Sequence, residues 1–277
     1  KFALLIPAVG LRIGDPNNLI DDVDAFETAI NAGDNAAATA ALNAASGKAL
    51  IANASAGVAL SFATERFASG MVVTSYSYNS LRVVPNGTPA LSTLETVGYE
   101  GTEIGIPLAW RFGDSGFAVG ITPKYVRIRT NDASQLLYGS DTASLFDSAA
   151  NQTEYDNFNV DAGFVWGRGN GFRLGVVGRN LIAQDYVTTG ARTIALEPQY
   201  RAGVAYVGNW VTVAADVDLR ENNAVGFESP TRMASVGIEF NLLNAVRLRA
   251  GAMQNLKAAP TIDKEGLLTA GLGFNFF

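Results

Sequence analysis

The 277-residue chain contains no cysteine and no histidine. The first absence removes disulfides, thiolate nucleophiles and sulfur-ligated metals, and it fits an oxidising envelope compartment where stray thiols are a liability. The second removes Ser-His and Cys-His triads and imidazole metal sites. Charge is scarce as well: 17% of residues are charged, with a balance of −6. No basic stripe is available to neutralise phosphates, which argues against nucleic acid as a partner. Nor does any stretch approach the roughly 18 consecutive apolar residues of a transmembrane helix. Catalytic residues, metal ligands and a cofactor site are not legible, and the chain reads as a non-enzyme.

What is present is apolar but dispersed. Hydrophobic residues make up 48% of the chain and Gly numbers 29. The C-terminal run Thr269-Ala270-Gly271-Leu272-Gly273-Phe274-Asn275-Phe276-Phe277 puts Leu268, Ala270, Leu272, Phe274 and Phe276 on one face. Thr269, Gly271, Gly273 and Asn275 fall on the other. An apolar face toward lipid and a small or polar face toward a lumen is the pattern of an outer-membrane strand, and a closed barrel needs such a terminal strand to leave no edge in lipid. The chain opens on Lys1-Phe2-Ala3-Leu4-Leu5-Ile6-Pro7, a strand-like run without a signal peptide, which suggests a processed chain whose export signal lay upstream.

Similar alternation recurs along the sequence. Val211, Val213, Ala215, Val217 and Leu219 oppose Thr212, Ala214, Asp216, Asp218 and Arg220; Val246, Leu248, Ala250 and Ala252 oppose Arg247, Arg249, Gly251 and Met253. Ionised groups at alternate positions cannot point into lipid, so they face a polar interior. Counting such segments gives about twelve strands, and an even number returns both termini to one side of the membrane. Tight turn signals at Glu65 to Gly70, Gly113-Asp114-Ser115-Gly116, Gly167 to Gly171, Gly208-Asn209 and Asn241 to Asn244 follow every second strand. Longer connections at 14–50, 85–95, 131–154, 184–197, 222–230 and 257–266 alternate with them. Trp110, Phe112, Trp166, Phe172, Trp210, Phe274 and Phe276 gather beside the short turns, as an interfacial girdle would. The expected fold is therefore all-β: one transmembrane antiparallel β-barrel spanning 1–277, with a helical extracellular loop inserted at about 14–50.

In that insertion, Leu19, Val23, Phe26 and Ile30 recur at helical spacing behind early acidic residues. A second helix is expected from Asp34 to Ser46, capped by Asp34 and Gly47. The first strand departs from the pattern, because Phe2, Leu4, Ile6 and Ala8 are opposed by Leu5, Pro7, Val9 and Leu11, so both faces are apolar. Its inner face must then meet a plug, the loop helices or a hydrophobic ligand. Pro7 and Pro123 mark an edge, a bulge or a break in pairing. Near Pro123 the alternation slips from Phe117, Val119 and Ile121 to Val126 and Ile128, where a kink could open the wall sideways.

Candidate site residues follow. Glu103, Arg111, Lys124, Asp161, Arg173, Arg179, Arg201, Asp216, Asp218, Arg220, Glu239, Arg247 and Arg249 are expected in the lumen. They serve either as paired ladders that hold a narrow barrel or as a charged pore lining. Arg201, Asp216, Asp218, Arg220 and Glu239 are the foremost pore candidates, with Arg247 and Arg249 beside them. Leu5, Val9, Leu11, Leu19, Val23, Phe26 and Ile30 are the candidates for contact with an apolar ligand.

The run Phe2-Ala3-Leu4-Leu5-Ile6-Pro7-Ala8-Val9-Gly10, followed by Asp15-Pro16-Asn17-Asn18-Leu19-Ile20-Asp21-Asp22-Val23-Asp24 and closed by the aromatic end, resembles the TraF-type conjugal transfer barrels. That group is distantly similar to the long-chain fatty acid transporters. The resemblance implies a bacterial outer-membrane protein that takes up small apolar or amphipathic molecules. Its partners would be outer-membrane lipid and a small hydrophobic ligand, and its state monomeric. The fatty acid transporters carry an N-terminal hatch ahead of their first strand, and this sequence shows none. The alternative is a non-enzymatic structural or interaction component of the envelope, associated with conjugation, with a closed lumen.

Overall fold

A computed structural model describes residues 2–15, 17–138, 151–169, 171–223, 226–227, 230–242, 246–257 and 266–274. The elements in chain order are β1 (Phe2–Gly14), α1 (Leu19–Asn31), α2 (Asn35–Ala45), β2 (Leu50–Ala63), β3 (Phe67–Val84), β4 (Thr93–Gly105), β5 (Leu108–Arg111), β6 (Phe117–Leu136) and β7 (Gln152–Gly167). They continue with β8 (Gly171–Arg179), β9 (Gln184–Val187), β10 (Thr193–Leu196), β11 (Gln199–Val207), β12 (Val211–Asp218), β13 (Met233–Leu242), β14 (Val246–Asn255) and β15 (Leu267–Phe274). The wall is one antiparallel sheet in the order β1-β2-β3-β4-β6-β7-β8-β11-β12-β13-β14-β15, with β5 prolonging β4 between β3 and β6. This is the meander of a transmembrane β-barrel, with twelve staves as the alternation predicts. No pairing joins β1 to β15 among the described residues. The expected terminal positions Asn275, Phe276 and Phe277 lie outside them, as do 243–245 in one short turn and Asn170 in another.

Short turns and long loops segregate to opposite ends, as expected. The wall is uneven in height: β3, β6 and β7 have 18, 20 and 16 residues, whereas β12 and β15 have 8 each. At about 3.3 Å per residue the short staves match a hydrocarbon layer and the tall ones rise well past it. Cross-strand partners share a face, which fixes the two surfaces. Ile104, Ile106, Trp110, Val119, Ile121, Phe158 and Phe164 lie on the exposed apolar face, the one that meets lipid. Glu103, Lys124, Asp161, Arg201, Asp216, Glu239 and Arg249 lie on the other.

Two corrections concern prolines. In β1 the register shifts between Leu5 and Ala8: Leu4 pairs with Leu60 and Leu5 with Ala59, yet Val9 then pairs with Ala56 and Leu11 with Ala54. The one extra residue of this bulge moves Val9 and Leu11 to the outward face shared by Phe2 and Leu4, where they are 79% and 75% exposed. The expected apolar inner face is therefore not found at Val9 and Leu11. Leu5 pairs through its backbone, and its side chain lies outside the described part of the structure. At Pro123 the opposite holds. Pairing with β7 runs unbroken from Phe117↔Trp166 to Asn131↔Gln152, so no slip occurs. The chemistry changes because β6 leaves the lipid: beyond Ile121 its outward face becomes Tyr125, Arg127 and Arg129, paired with Asp156 and Glu154. Pro107 interrupts the ladder between β4 and β5, but Val72↔Gly105 and Ser69↔Leu108 stay in step across the gap.

The helices form where expected. The carboxylate of Asp15 accepts from Leu19 N at 2.6 Å and Ile20 N at 2.9 Å, closing the first turn of α1. Asp34 caps α2 by accepting from the amides of Ala36 and Ala37. Beyond α2, Gly47 takes the positive φ of 78° that lets the chain turn away.

Candidate functional site

The tall half of the wall is clad on both sides at the loop end. Outside, α1 and α2 bury Leu19, Phe26, Ala29, Ala38, Leu42 and Ala45 against Leu81, Val83, Leu94, Ala133 and Leu137, with Val23 and Ile30 packed at the margin. Leu19 and Phe26 are 3% and 1% exposed. The helix face expected to meet a ligand is the face that docks on the wall.

Inside, the β9–β10 hairpin folds into the mouth. The chain crosses the end of β8 at Asn180, whose amide donates to Asp161 Oδ1 at 2.8 Å. Asn159 Nδ2 then holds Ile182 O at 2.9 Å, and Asn159 Oδ1 accepts from Ile182 N at 3.1 Å. Tyr186 and Ile194 are thereby buried against Val97, Tyr99, Val126 and Ile128, with Tyr76, Tyr78, Tyr155, Leu196 and Phe227 around them. Tyr155 and Tyr186 rings stand 5.3 Å apart, as do those of Tyr78 and Tyr99. Burial pushes the Tyr186 phenol up to about 12, so it stays a neutral donor, here to Gln184 Oε1 at 2.6 Å.

Ion pairs bracket this aromatic layer. Toward the mouth, Glu95 Oε2 accepts from Arg82 Nη2 at 2.8 Å and from Arg192 Nη2 at 2.9 Å. Asp132 accepts from Thr188 Oγ1 at 2.5 Å and faces Arg192 at 3.5 Å. Phe227 lies over the Arg82 guanidinium at 4.1 Å. Below the layer, Lys124 Nζ sits 3.0 Å from both Glu103 and Asp161, with 3% of its side chain exposed. Tyr76 Oη donates to Glu103 at 2.9 Å.

Under Lys124 the lumen widens. Cavities of about 500 and 510 Å³ run along the inner faces of β7–β12 and β12–β15, floored by Gly175, Gly203, Ala214, Gly237, Gly251 and Gly271. Arg201 joins Asp218 at 2.8 Å and Asp216 at 3.3 Å, and Arg249 joins Glu239 at 2.6 Å. The expected partners differ at two positions. Arg220 binds Glu197 in the loop instead of Asp216 or Asp218. Arg247 faces the lumen opposite Gly273 and has no ion pair within 4 Å among the described residues. The two aspartates are spoken for: Asp218 also accepts from Asn222 and Met233 N, both at 2.9 Å, and Asp216 from Ser235 Oγ at 2.7 Å. No cluster of three metal-ligating side chains occurs among the described residues.

Sequence reading did not single out Tyr76, Tyr78, Tyr99, Tyr155, Tyr186 and Arg192. Their signal was available: Tyr76 and Tyr78 alternate within a strand, and Tyr186-Val187 and Ile194 to Leu196 flank a Thr-Thr-Gly turn.

A meandering sheet with an apolar belt, an ion-paired interior and loops at one end defines a transmembrane β-barrel of the outer-membrane type. The chain belongs to the family described as "F plasmid transfer operon, TraF, protein", whose model matches residues 1–218. A comparison with curated proteins gives no match. Among solved structures, the Pseudomonas putida toluene transporter TodX aligns at TM-score 0.52 and 12% identity, over 100% of this chain and 79% of that one. In a second TodX structure, aligned at TM-score 0.45 and 10% identity over 76% of this chain, the match spans only 65% of the transporter. A FadL homologue of Pseudomonas aeruginosa aligns at TM-score 0.45 and 13% identity, over 81% of this chain and 66% of that one. At these identities the likeness is one of fold.

Proposed function

We propose that this barrel is an outer-membrane passage for small apolar or amphipathic molecules, which enter at the loop end and leave at the short-turn end. The observation that carries this reading is the aromatic layer. Tyr76, Tyr78, Tyr99 and Tyr155 form an inward-facing surface that the chain's own hairpin covers with Tyr186 and Ile194. The hairpin is tied down by hydrogen bonds and the Arg192 pairs, all of which water can replace. When it swings out, an amphipathic molecule meets ring faces and phenol groups, then the Lys124 cluster, then the wide lumen lined by Arg201, Asp216, Asp218, Glu239, Arg247 and Arg249. No bond is made or broken. In this reading the protein works as a monomer in the bacterial outer membrane with its loops outward; the apolar belt supports the membrane setting.

Uptake of a hydrophobic fluorophore into proteoliposomes tests this. It should be saturable and should fall when the wall residues Tyr78 and Tyr99 are both changed to Ser; uptake equal to empty liposomes would sink the reading.

A second reading is favoured by one observation, the buried Lys124–Glu103–Asp161 cluster beneath the hairpin. Two seals in series suit a closed envelope component that binds a partner of the conjugation apparatus through its loops. Absence of copurified ligand by native mass spectrometry, together with a stable partner complex, would favour it.

A further inference from the structure

Cations in most of the lumen are matched by carboxylates: Lys124 by Glu103 and Asp161, Arg201 by Asp216 and Asp218, Arg249 by Glu239. The short-turn mouth breaks that rule. There Arg111, Arg168 and Arg173 line a cup of about 380 Å³ between the β5–β6 and β7–β8 turns. Register sets Arg111 and Arg173 on the lumen face: Arg111 pairs with Ala118, Ala118 with Val165, and Arg173 with Gly167. None of the three has an ion pair within 4 Å among the described residues. Asp114 is the one carboxylate in the lining.

The cup is also built to seat these stems. A Cβ on Gly116 would stand 2.6 Å from Arg168 Cγ, and one on Gly167 would stand 2.6 Å from Arg173 Cγ. Arg173 is steadied further by its Nη2 donating to Gly169 O at 3.2 Å. In a chain of net charge −6, three gathered guanidinium groups facing water call for an anion from outside.

We propose that this cup is a binding site for a phosphoryl dianion. Three guanidinium charges less the Asp114 carboxylate leave two, which matches the roughly −1.5 to −2 carried by a phosphate monoester at neutral pH. A monocarboxylate would leave one charge unanswered. Guanidinium forks suit tetrahedral oxyanions because each can present two parallel N–H donors. The ligand is either the phosphomonoester headgroup of a lipid or a soluble phosphate at the short-turn side.

Calorimetric titration of inorganic phosphate into the detergent-solubilised full chain at low salt tests it. Saturable binding is expected, weakened by about tenfold or more in Arg111→Gln/Arg173→Gln. Asp114→Asn should bind more tightly, and Gly167→Ala more weakly although it removes no charge. Heat-modifiable migration verifies that each variant is folded. In nanodiscs, competition by phosphatidic acid would identify a lipid headgroup and its absence a soluble phosphate, either of which upholds the site. No saturable binding, unchanged affinity in the double arginine variant, or acetate bound as tightly as phosphate would overturn it.

Discussion

Arg192 Nη2 on the hairpin donates to Glu95 Oε2 on β4 at 2.9 Å, while Arg192 Nη1 faces Asp132 on β6 at 3.5 Å. One side chain thus ties an inserted loop to two staves of the wall.

Arg192→Gln removes the charge from both contacts. The Arg192 side chain is 36% exposed, so screening trims the loss to about 1–2 kcal/mol. That raises the hairpin's open population by about 5- to 30-fold. Hydrogen exchange at amides 184–196 should accelerate accordingly, with global unfolding little changed; unaltered exchange there would show that the hairpin is held by its apolar face alone.

Lys124→Met should be far more damaging. With 3% of its side chain exposed, Lys124 is the only counter-charge within 4 Å of Glu103 and Asp161 among the described residues. Removing it leaves two facing carboxylates in a dry site, which costs about 3–5 kcal/mol. Denaturant unfolding in detergent measures this. The triple change with Glu103→Gln and Asp161→Asn should recover most of the loss, because the unanswered charges then disappear.

The sequence made the stave count, the sorting of loops and the capped helices legible, because each rests on a local period or a short turn. Two things were hidden. The consequence of Pro7 was one: a bulge reverses the face of every later residue, and no alternation count can tell an apolar inner face from a bulged outer one at Val9 and Leu11. The other was long-range placement. The swap of apolar residues from outward Ile121 to inward Val126 and Ile128 marks the level where β6 rises out of lipid and meets a hairpin that is distant in sequence. Leu19 and Phe26 showed a helix stripe correctly, but nothing local says that it docks outside the wall.

The bulge gives its own test. Val9→Lys puts a cation on the outward face, at a cost of about 2–4 kcal/mol if near mid-membrane. Thr212→Lys, on the inward face opposite Glu239, should cost under about 1 kcal/mol. Equal costs would show that Val9 points inward and that the bulge is misplaced.

Asp216 and Asp218 share Arg201 but differ in what water can do for them. The Asp218 side chain is 5% exposed and also accepts from Asn222 and Met233 N, so Asp218→Ala strands a backbone donor. Arg201 is 46% exposed and can turn to water, which limits the loss to about 2–3 kcal/mol. Asp216 is 35% exposed and borders both large lumen cavities, so Asp216→Ala should cost under about 1 kcal/mol. Its effect should appear in transport instead. Loss of one carboxylate beside Arg201 makes the lining more cationic, and any conductance should shift toward anions, most visibly at low salt. Unfolding and reversal-potential measurements on the two variants therefore dissociate: Asp218→Ala loses stability, Asp216→Ala loses cation preference. A large stability loss for Asp216→Ala would mean that the lower lumen is dry, and that the passage is sealed at this level as well as at Lys124.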